Sequence, residues 1–191
     1  MPTDTAAPPH TAEQTTDPPG APAADIGERR LAELEALREM AVAAAETVEP
    51  QEIFAILCAP LPRLVGADFA LVATPLFDAP REWCAGQEPS REAVGRMVEL
   101  LERARLEGRT IVAGRMEGGA PDDAELVAPP FGAATAVAVP LGGDAAGGAL
   151  LVGWHGERMV DGHALRMVQT VAGQAGTAFR NAARYHALRQ T

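Results

Sequence analysis

Polar and apolar positions along the chain fall into blocks of different period. Residues 27–48, GERRLAELEALREMAVAAAETV, place Leu34, Leu37, Ala41, Ala44 and Val48 at steps of three and four, the seam of an amphipathic helix. Pro50 ends that block and suits the first turn of the next, 51–65, which is interrupted near Pro60 and Pro62 and closed by Gly66. The apolar run ADFALVATPLF (67–77) reads as a strand, and REWCAG (81–86) as its hairpin partner after the turn DAP. Ser90 is a fitting N-cap for a third helix, whose face carries Val94, Met97, Leu100, Leu101 and Leu106 and which Gly108 ends. RTIVAG (109–114) is a third strand. A loop follows, with one helical turn expected at Asp122–Leu126. TAVAVPL (135–141) and GALLVGWHG (148–156) are two further strands joined by a Gly-rich hairpin loop.

The last block, 161–189, carries two apolar stripes. Leu165, Val168, Ala172, Ala175, Phe179 and Ala182 form one heptad series; Met167, Val171, Ala178, Tyr185 and Leu188 lie beside it. Two stripes need two partners. One is expected to be the sheet of the same chain; the other must meet something else.

Composition changes this picture in three places. Residues 1–26 are rich in Pro, Ala, Thr and Asp and poor in large apolar groups, so they read as a disordered tail before a single domain over 27–191. The formal net charge of −10 argues against nucleic acid and anionic membrane surfaces as partners. The start of the chain lacks the basic and apolar regions of a signal peptide, and no apolar run is long enough to span a bilayer, so a cytoplasmic protein is expected. Two cysteines, Cys58 and Cys84, are too few for a disulfide framework or a four-thiolate metal site.

The order α–α–β–β–α–β–loop–β–β–α, with three stretches in sequence, resembles a GAF domain, a small-molecule sensory module of bacterial signalling proteins. LVGADFALVAT is similar to the family's helix-to-first-strand joint, TAVAVPLGGDAAGGALLVGW to its two central strands, and HALRMVQTVAGQAGTAFRNAARYHAL to its final helix. The resemblance implies an α/β (α+β) fold: a central, mainly antiparallel sheet of about five to six strands, terminal helices on one face, a pocket-forming helix and loops on the other. It also implies a sensory or regulatory role in signal transduction, a small-molecule effector, a homodimer through terminal helices carrying Leu34, Leu37, Leu165, Val168, Phe179 and Tyr185, and an output such as a histidine kinase, phosphatase or transcription factor in a two-component system. The alternative to the dimer is that the second stripe meets only the first helix of the same chain.

Fold alone does not choose a ligand. On the resemblance, the pocket lies under the segment GRMEGGAPDDAELVAPPFGAAT, with Trp83, Met97, Leu101, Ile111, Leu126, Phe131, Val137 and Val139 as lining and Arg115, Asp122 and Asp123 as polar anchors. Haem is disfavoured, because related haem sensors carry an axial histidine just before the Val-Pro strand and VAPPFGAATAVAVPL has none. Bilin attachment and free methionine sulfoxide reduction are disfavoured too, since neither cysteine sits in the matching context. No cofactor, no metal and no catalytic residue are therefore expected in this chain. The alternative is a haem or thiol redox protein using His155 or Cys84.

Overall fold

The strand blocks assemble into one mixed sheet in the computed structural model, which describes residues 21–77, 81–87, 91–128, 135–142 and 147–189. The elements are α1 (Ala21–Glu46), α2 (Pro50–Ile53) running into a π-helical turn (Phe54–Cys58), α3 (Leu61–Val65), β1 (Phe69–Thr74), β2 (Arg81–Gly86), α4 (Arg91–Glu107), β3 (Thr110–Ala113), β4 (Arg115–Met116), β5 (Ala124–Val127), β6 (Thr135–Pro140), β7 (Ala149–Trp154), β8 (Met159–Val160) and α5 (Gly162–Arg189). The chain divides into two compact units, residues 1–35 and 36–191. The described part of the first is the upstream stretch of α1. The second holds the rest of α1 and every other element.

Six strands lie in the order β2-β1-β7-β6-β3-β5. All neighbours are antiparallel except β3 and β5. The mainly antiparallel α/β sheet is thus the expected one, with one strand gained. β5 occupies the place where a helical turn was expected. A turn closed by Ala124 N donating to Pro121 O delivers AELV beside β3, whose outer backbone groups need partners. Pairing with a neighbouring strand outweighs the weak helical signal of four residues. Arg103 of α4 holds the edge from above, bonding Glu125 at 2.8 Å.

The second helical block breaks earlier than its prolines. Ala59 N donates to Phe54 O at 2.9 Å, five residues back, which is the π-helical bond. Pro60 and Pro62 supply no backbone donors, so the helix widens before them and resumes at Leu61. Gly66, at φ 63°, ends it in the left-handed conformation that glycine adopts without strain. Its carbonyl then accepts from Trp154 Nε1 at 2.8 Å and Arg158 Nη1 at 2.7 Å. Asp68 Oδ2 accepts from His155 N at 2.7 Å. The Gly-Ala-Asp stretch therefore pins the start of β1 to the end of β7.

Alternation sorts the strand side chains onto two faces. Ala70, Val72, Val112, Val137, Val139, Leu150, Val152 and Trp154 join a cluster with α1, α2, α3 and α5. Phe69, Leu71, Ile111, Ala113, Ala136, Ala138, Ala149 and Leu151 join Met97, Leu100, Leu101 and Ala104 of α4. Four alanines on that second face let α4 lie close and bring the bulk itself. Terminal helices on one face and α4 on the other match the expected layering.

Asp161 caps α5: its Oδ1 accepts from Ala164 N at 2.7 Å. The heptad series of α5 is wholly buried in the chain's own core. Leu165, Val168 and Phe179 thus have no side chain left for a second copy, and Leu37 of α1 is buried as well. The second stripe is also covered as far as Ala178. The π-helical turn and α2 also pack on α5, so the chain itself buries both stripes as far as Ala182 and Ala178. What remains outward is Tyr185 (38% exposed) and Leu188 (77%) on α5, and Leu34 (63%) on α1.

α1 begins at Ala21, inside the segment expected as a tail. Residues 1–20, the turn at 78–80, the Ser90 cap and the middle of the Gly-rich loop, 143–146, lie outside the described residues.

Two α5 glycines give opposite expectations. A Cβ at Gly176 would sit 2.7 Å from the Leu141 carbonyl carbon and 2.8 Å from Gly142 N, both backbone atoms, whereas one at Gly173 meets nothing within 4 Å. Gly176→Ala should cost about 1–3 kcal/mol through forced separation of α5 from β6. Gly173→Ala should gain about 0.5–1 kcal/mol from helix propensity. Urea unfolding of the two variants checks both signs.

Candidate functional site

The ends of three strands leave a cleft of about 390 Å³, lined by Gly114, Arg115, Leu126, Val127, Ala128, Thr135 and Glu157. Its back wall is fixed by hydrogen bonds. Gly114 N donates to Val127 O at 3.1 Å, extending the β3–β5 ladder. Thr135 Oγ1 donates to Arg158 O at 3.1 Å and accepts from Arg158 N at 2.9 Å, so the first residue of β6 holds the segment after β7. Gly114 is at φ 134°, and a Cβ there would stand 3.0 Å from Thr135 Cγ2. A larger residue would push this wall apart.

Arg115 and Glu157 supply opposite charges to one cleft, and neither side chain has a salt bridge or hydrogen bond among the described residues. Both lead into the small β4–β8 ladder, where Arg115 pairs with Met159 and Met116 with Val160. Glu117 N then donates to Val160 O at 2.9 Å. β8 is followed directly by Asp161, the cap of α5. Two residues of the cleft wall are thus within a few bonds of the start of the long helix.

The eleven expected pocket residues do not form one pocket. Arg115 and Leu126 meet in this cleft. Met97, Leu101 and Ile111 are buried under α4, while Val137, Val139 and Trp83 belong to the opposite face. Strand alternation separates Ile111 from its neighbours in space, Val137 and Val139, and places Trp83 between Phe54 and Phe179. Asp122 and Val139 line a different, wide-open groove of about 610 Å³ with Arg109, Thr110, Asp123 and Gln169. There Gln169 Nε2 donates to Asp123 Oδ2 at 3.0 Å and to Thr110 Oγ1 at 3.2 Å. Phe131 lies outside the described residues. Glu157 and Thr135 escaped sequence reasoning; only the tertiary fold brings 157 beside 115.

A third groove, about 270 Å³, runs between α1 and α5 and is lined by Ala41, Ala45, Gly173, Gln174, Thr177, Ala178 and Asn181. Gln174 Oε1 is buried and has no hydrogen-bond partner.

The remaining chemistry is dispersed. Cys84 is exposed on β2; Cys58 is buried in the π-helical turn, and desolvation pushes its thiol up to about 12. His155 is exposed, with its ring 5.5 Å from that of Phe69. His186 Nε2 lies 3.0 Å from Val48 O. No described helix is long and apolar enough to cross a membrane.

No family model matches the sequence, and no curated protein matches it. Solved structures do resemble the fold. The GAF domain of an Acinetobacter phosphoenolpyruvate-protein phosphotransferase matches at a TM-score of 0.54 and 14% identity, over 83% of this chain and 97% of its own. A bacteriophytochrome from the photosynthetic bacterium R. palustris matches at 0.56 and 12%, over 82% of this chain and 38% of its own. The free methionine-R-sulfoxide reductase of Neisseria meningitidis matches at 0.51 and 16%, over 80% and 90%. At such identities the likeness is one of fold, and the fold is that of a GAF domain.

Burial of Cys58 has a measurable consequence. The folded thiol, raised from 9.0 to about 12, keeps its proton where the unfolded thiol loses it. The unfolded state then binds fewer protons, so stability is full below pH 9.0 and falls as pH rises toward 12. Denaturant melts between those limits should show that decline, and Cys58→Ala should flatten it while lowering stability overall. Iodoacetamide at pH 8 should modify Cys84 in the native protein and Cys58 only after unfolding.

Proposed function

We propose that this GAF-fold domain is a non-catalytic sensory or regulatory module whose effector occupies the Arg115–Glu157 cleft. The observation that carries the reading is the route from that cleft to α5. Arg115 opens β4 and Glu157 precedes β8, and the residue directly after β8 caps α5. An effector that draws the two charges together acts on the β4–β8 ladder and thus on the start of the helix. Only a ligand with different affinities for two settings of α5 transmits a signal, and a coupling of about 1–3 kcal/mol is typical.

The cleft favours a small molecule bearing an anionic group for Arg115 and a cationic or donor group for Glu157, with an apolar part against Leu126 and Val127. Small zwitterions have that chemistry. A bidentate carboxylate contact to Arg115 is directional as well as charged. The output belongs to a partner of the signalling class, a histidine kinase, a phosphatase or a transcription factor, and the setting is a bacterial cytoplasm.

Self-association completes the reading. The groove between α1 and α5 is lined by small side chains that allow a second copy's helices close approach, and Gln174 Oε1 is buried there without a donor. The redox alternative has less behind it. Burial suppresses the thiolate of Cys58, so Cys84 has no activated partner thiol, and His155 sits exposed at the surface and is not among the residues lining the cleft.

Two experiments test this. In a thermal-shift screen of amino acids and other small zwitterions, at least one should stabilise the protein. Arg115→Ala and Glu157→Gln should each weaken its binding by about tenfold in calorimetry, the loss of one charge-assisted contact. A panel without a single hit, or hits indifferent to both substitutions, refutes the assignment. Native mass spectrometry should find a species of twice 19.9 kDa, and Thr177→Arg should convert it to monomer; a wild-type monomer at all micromolar concentrations removes the dimer from the proposal.

A further inference from the structure

Three rings from outside α5 gather at two of its own, those of Phe179 and His186. Trp83, on β2, is sandwiched: its ring stacks on Phe54 at 6.0 Å and 21°, and on Phe179 at 5.5 Å and 12°. Phe77, three residues past the end of β1, sets its ring edge-on to Phe179 at 6.4 Å and 76°, and to His186 at 6.2 Å and 85°. The β1–β2 hairpin therefore grips α5 at two positions two turns apart. His186 is gripped a second time by Val48 O, the acceptor 3.0 Å from its Nε2.

These contacts fall where the helix leaves the core. Through Ala182 α5 has a buried face; from Ala183 to Arg189 each residue is exposed or half-buried. β2, which carries Trp83, is the sheet's edge: among the described residues it pairs with β1 alone, so its outer side has no ladder to hold it. Phe54, the far side of the sandwich, opens the π-helical turn, a local departure from α geometry that fixes where that ring points. An edge strand is thus tied by stacked rings to the last turns of α5.

We infer that the edge strand β2, together with the segment at Phe77, is a strap on the last turns of α5: Trp83 and Phe77 set the position of the Phe179–His186 turns, and displacement of β2 from β1 frees those turns while the rest of the core stays folded. The device is independent of which ligand fills the Arg115–Glu157 cleft. It gives the protein a second route, from the sheet edge, to the helix end.

Hydrogen exchange by mass spectrometry on the full chain tests it. Trp83→Leu and Phe77→Ala should each raise exchange of amides in residues 176–186 by about tenfold, the effect expected when one or two ring contacts are lost from a local opening unit. Exchange in α4, β6 and β7 should stay within about twofold of wild type, because their opening does not pass through the strap. Trp83→Phe, which keeps a ring in the sandwich, should recover most of the protection. Unchanged exchange in 176–186 overturns the inference. So does an equal rise in β6, β7 and α4, the mark of a core ring that only supports the domain as a whole. Where Trp83→Leu does not fold, Phe77→Ala, at a half-buried position outside the strands, decides by the same two criteria.

Discussion

The central strands β6 and β7 are buried along their whole length and apolar on both faces. That single constraint arranges the molecule. A sheet whose middle cannot face water on either side must be covered twice. The chain covers it with a helical layer from both ends of its second unit on one face and with α4 on the other. Side-chain size divides the labour. The helical-layer face presents Val137, Val139, Leu150 and Val152; the α4 face presents Ala136, Ala138 and Ala149 beside larger flanking groups. Wide residues meet a layer built from several helices, and small ones let a single helix approach closely.

Covering both faces leaves the sheet's interior with no room for chemistry, so polar function moves to the strand ends. The Arg115–Glu157 cleft, the Asp122–Gln169 groove and the Gly66–Asp68 joint all lie where strands stop and backbone groups need other partners. Thr135 illustrates the economy of such positions. It is buried, yet its one hydroxyl both donates and accepts, satisfying Arg158 N and O at once. Arg158 in turn reaches Gly66 O, so the wall of the cleft and the first joint of the sheet are one hydrogen-bonded unit.

Much of the fold was legible because periodicity reports burial. The strands at 67–77, 81–86, 109–114, 135–141 and 148–156 and the helices before and after them are all present, and the hairpin of β1 and β2 pairs as its turn implied. β5 was hidden, since AELV is too short to show a period and its reason for being a strand is an edge 10 or more residues away in sequence, at β3. The pocket was misread for a related reason. A list of apolar residues near a loop does not record which face each occupies, and Ile111 and Val137 sit on opposite sides of one sheet. Nor does a heptad name its partner. Leu165, Val168 and Phe179 would look the same packed on a second copy as they do packed in their own core. The exposed members of the pattern, Tyr185 and Leu188, are distinguished only by lying past the point where the sheet ends.

α5 is the element on which the rest converges, and its contacts limit how it can move. Its first turn is tied by Asp161 to β8 and the cleft, and its last turns are tied by rings to the β1–β2 hairpin. Between these lies Gly176, whose Cα side abuts the backbone of Leu141 and Gly142 so closely that even a methyl group does not fit. Arg180, one turn on, donates to Leu141 O at 3.4 Å. A helix pressed backbone to backbone at its middle cannot slide toward the sheet. Tilt or rotation about the Gly176–Leu141 contact is the motion left to it, and a packed core permits discrete alternatives of that kind more readily than continuous drift. A small displacement at Asp161 and one at His186 are then opposite ends of the same lever, which is why the cleft at the strand ends and the strap proposed at the sheet edge would bear on one helix.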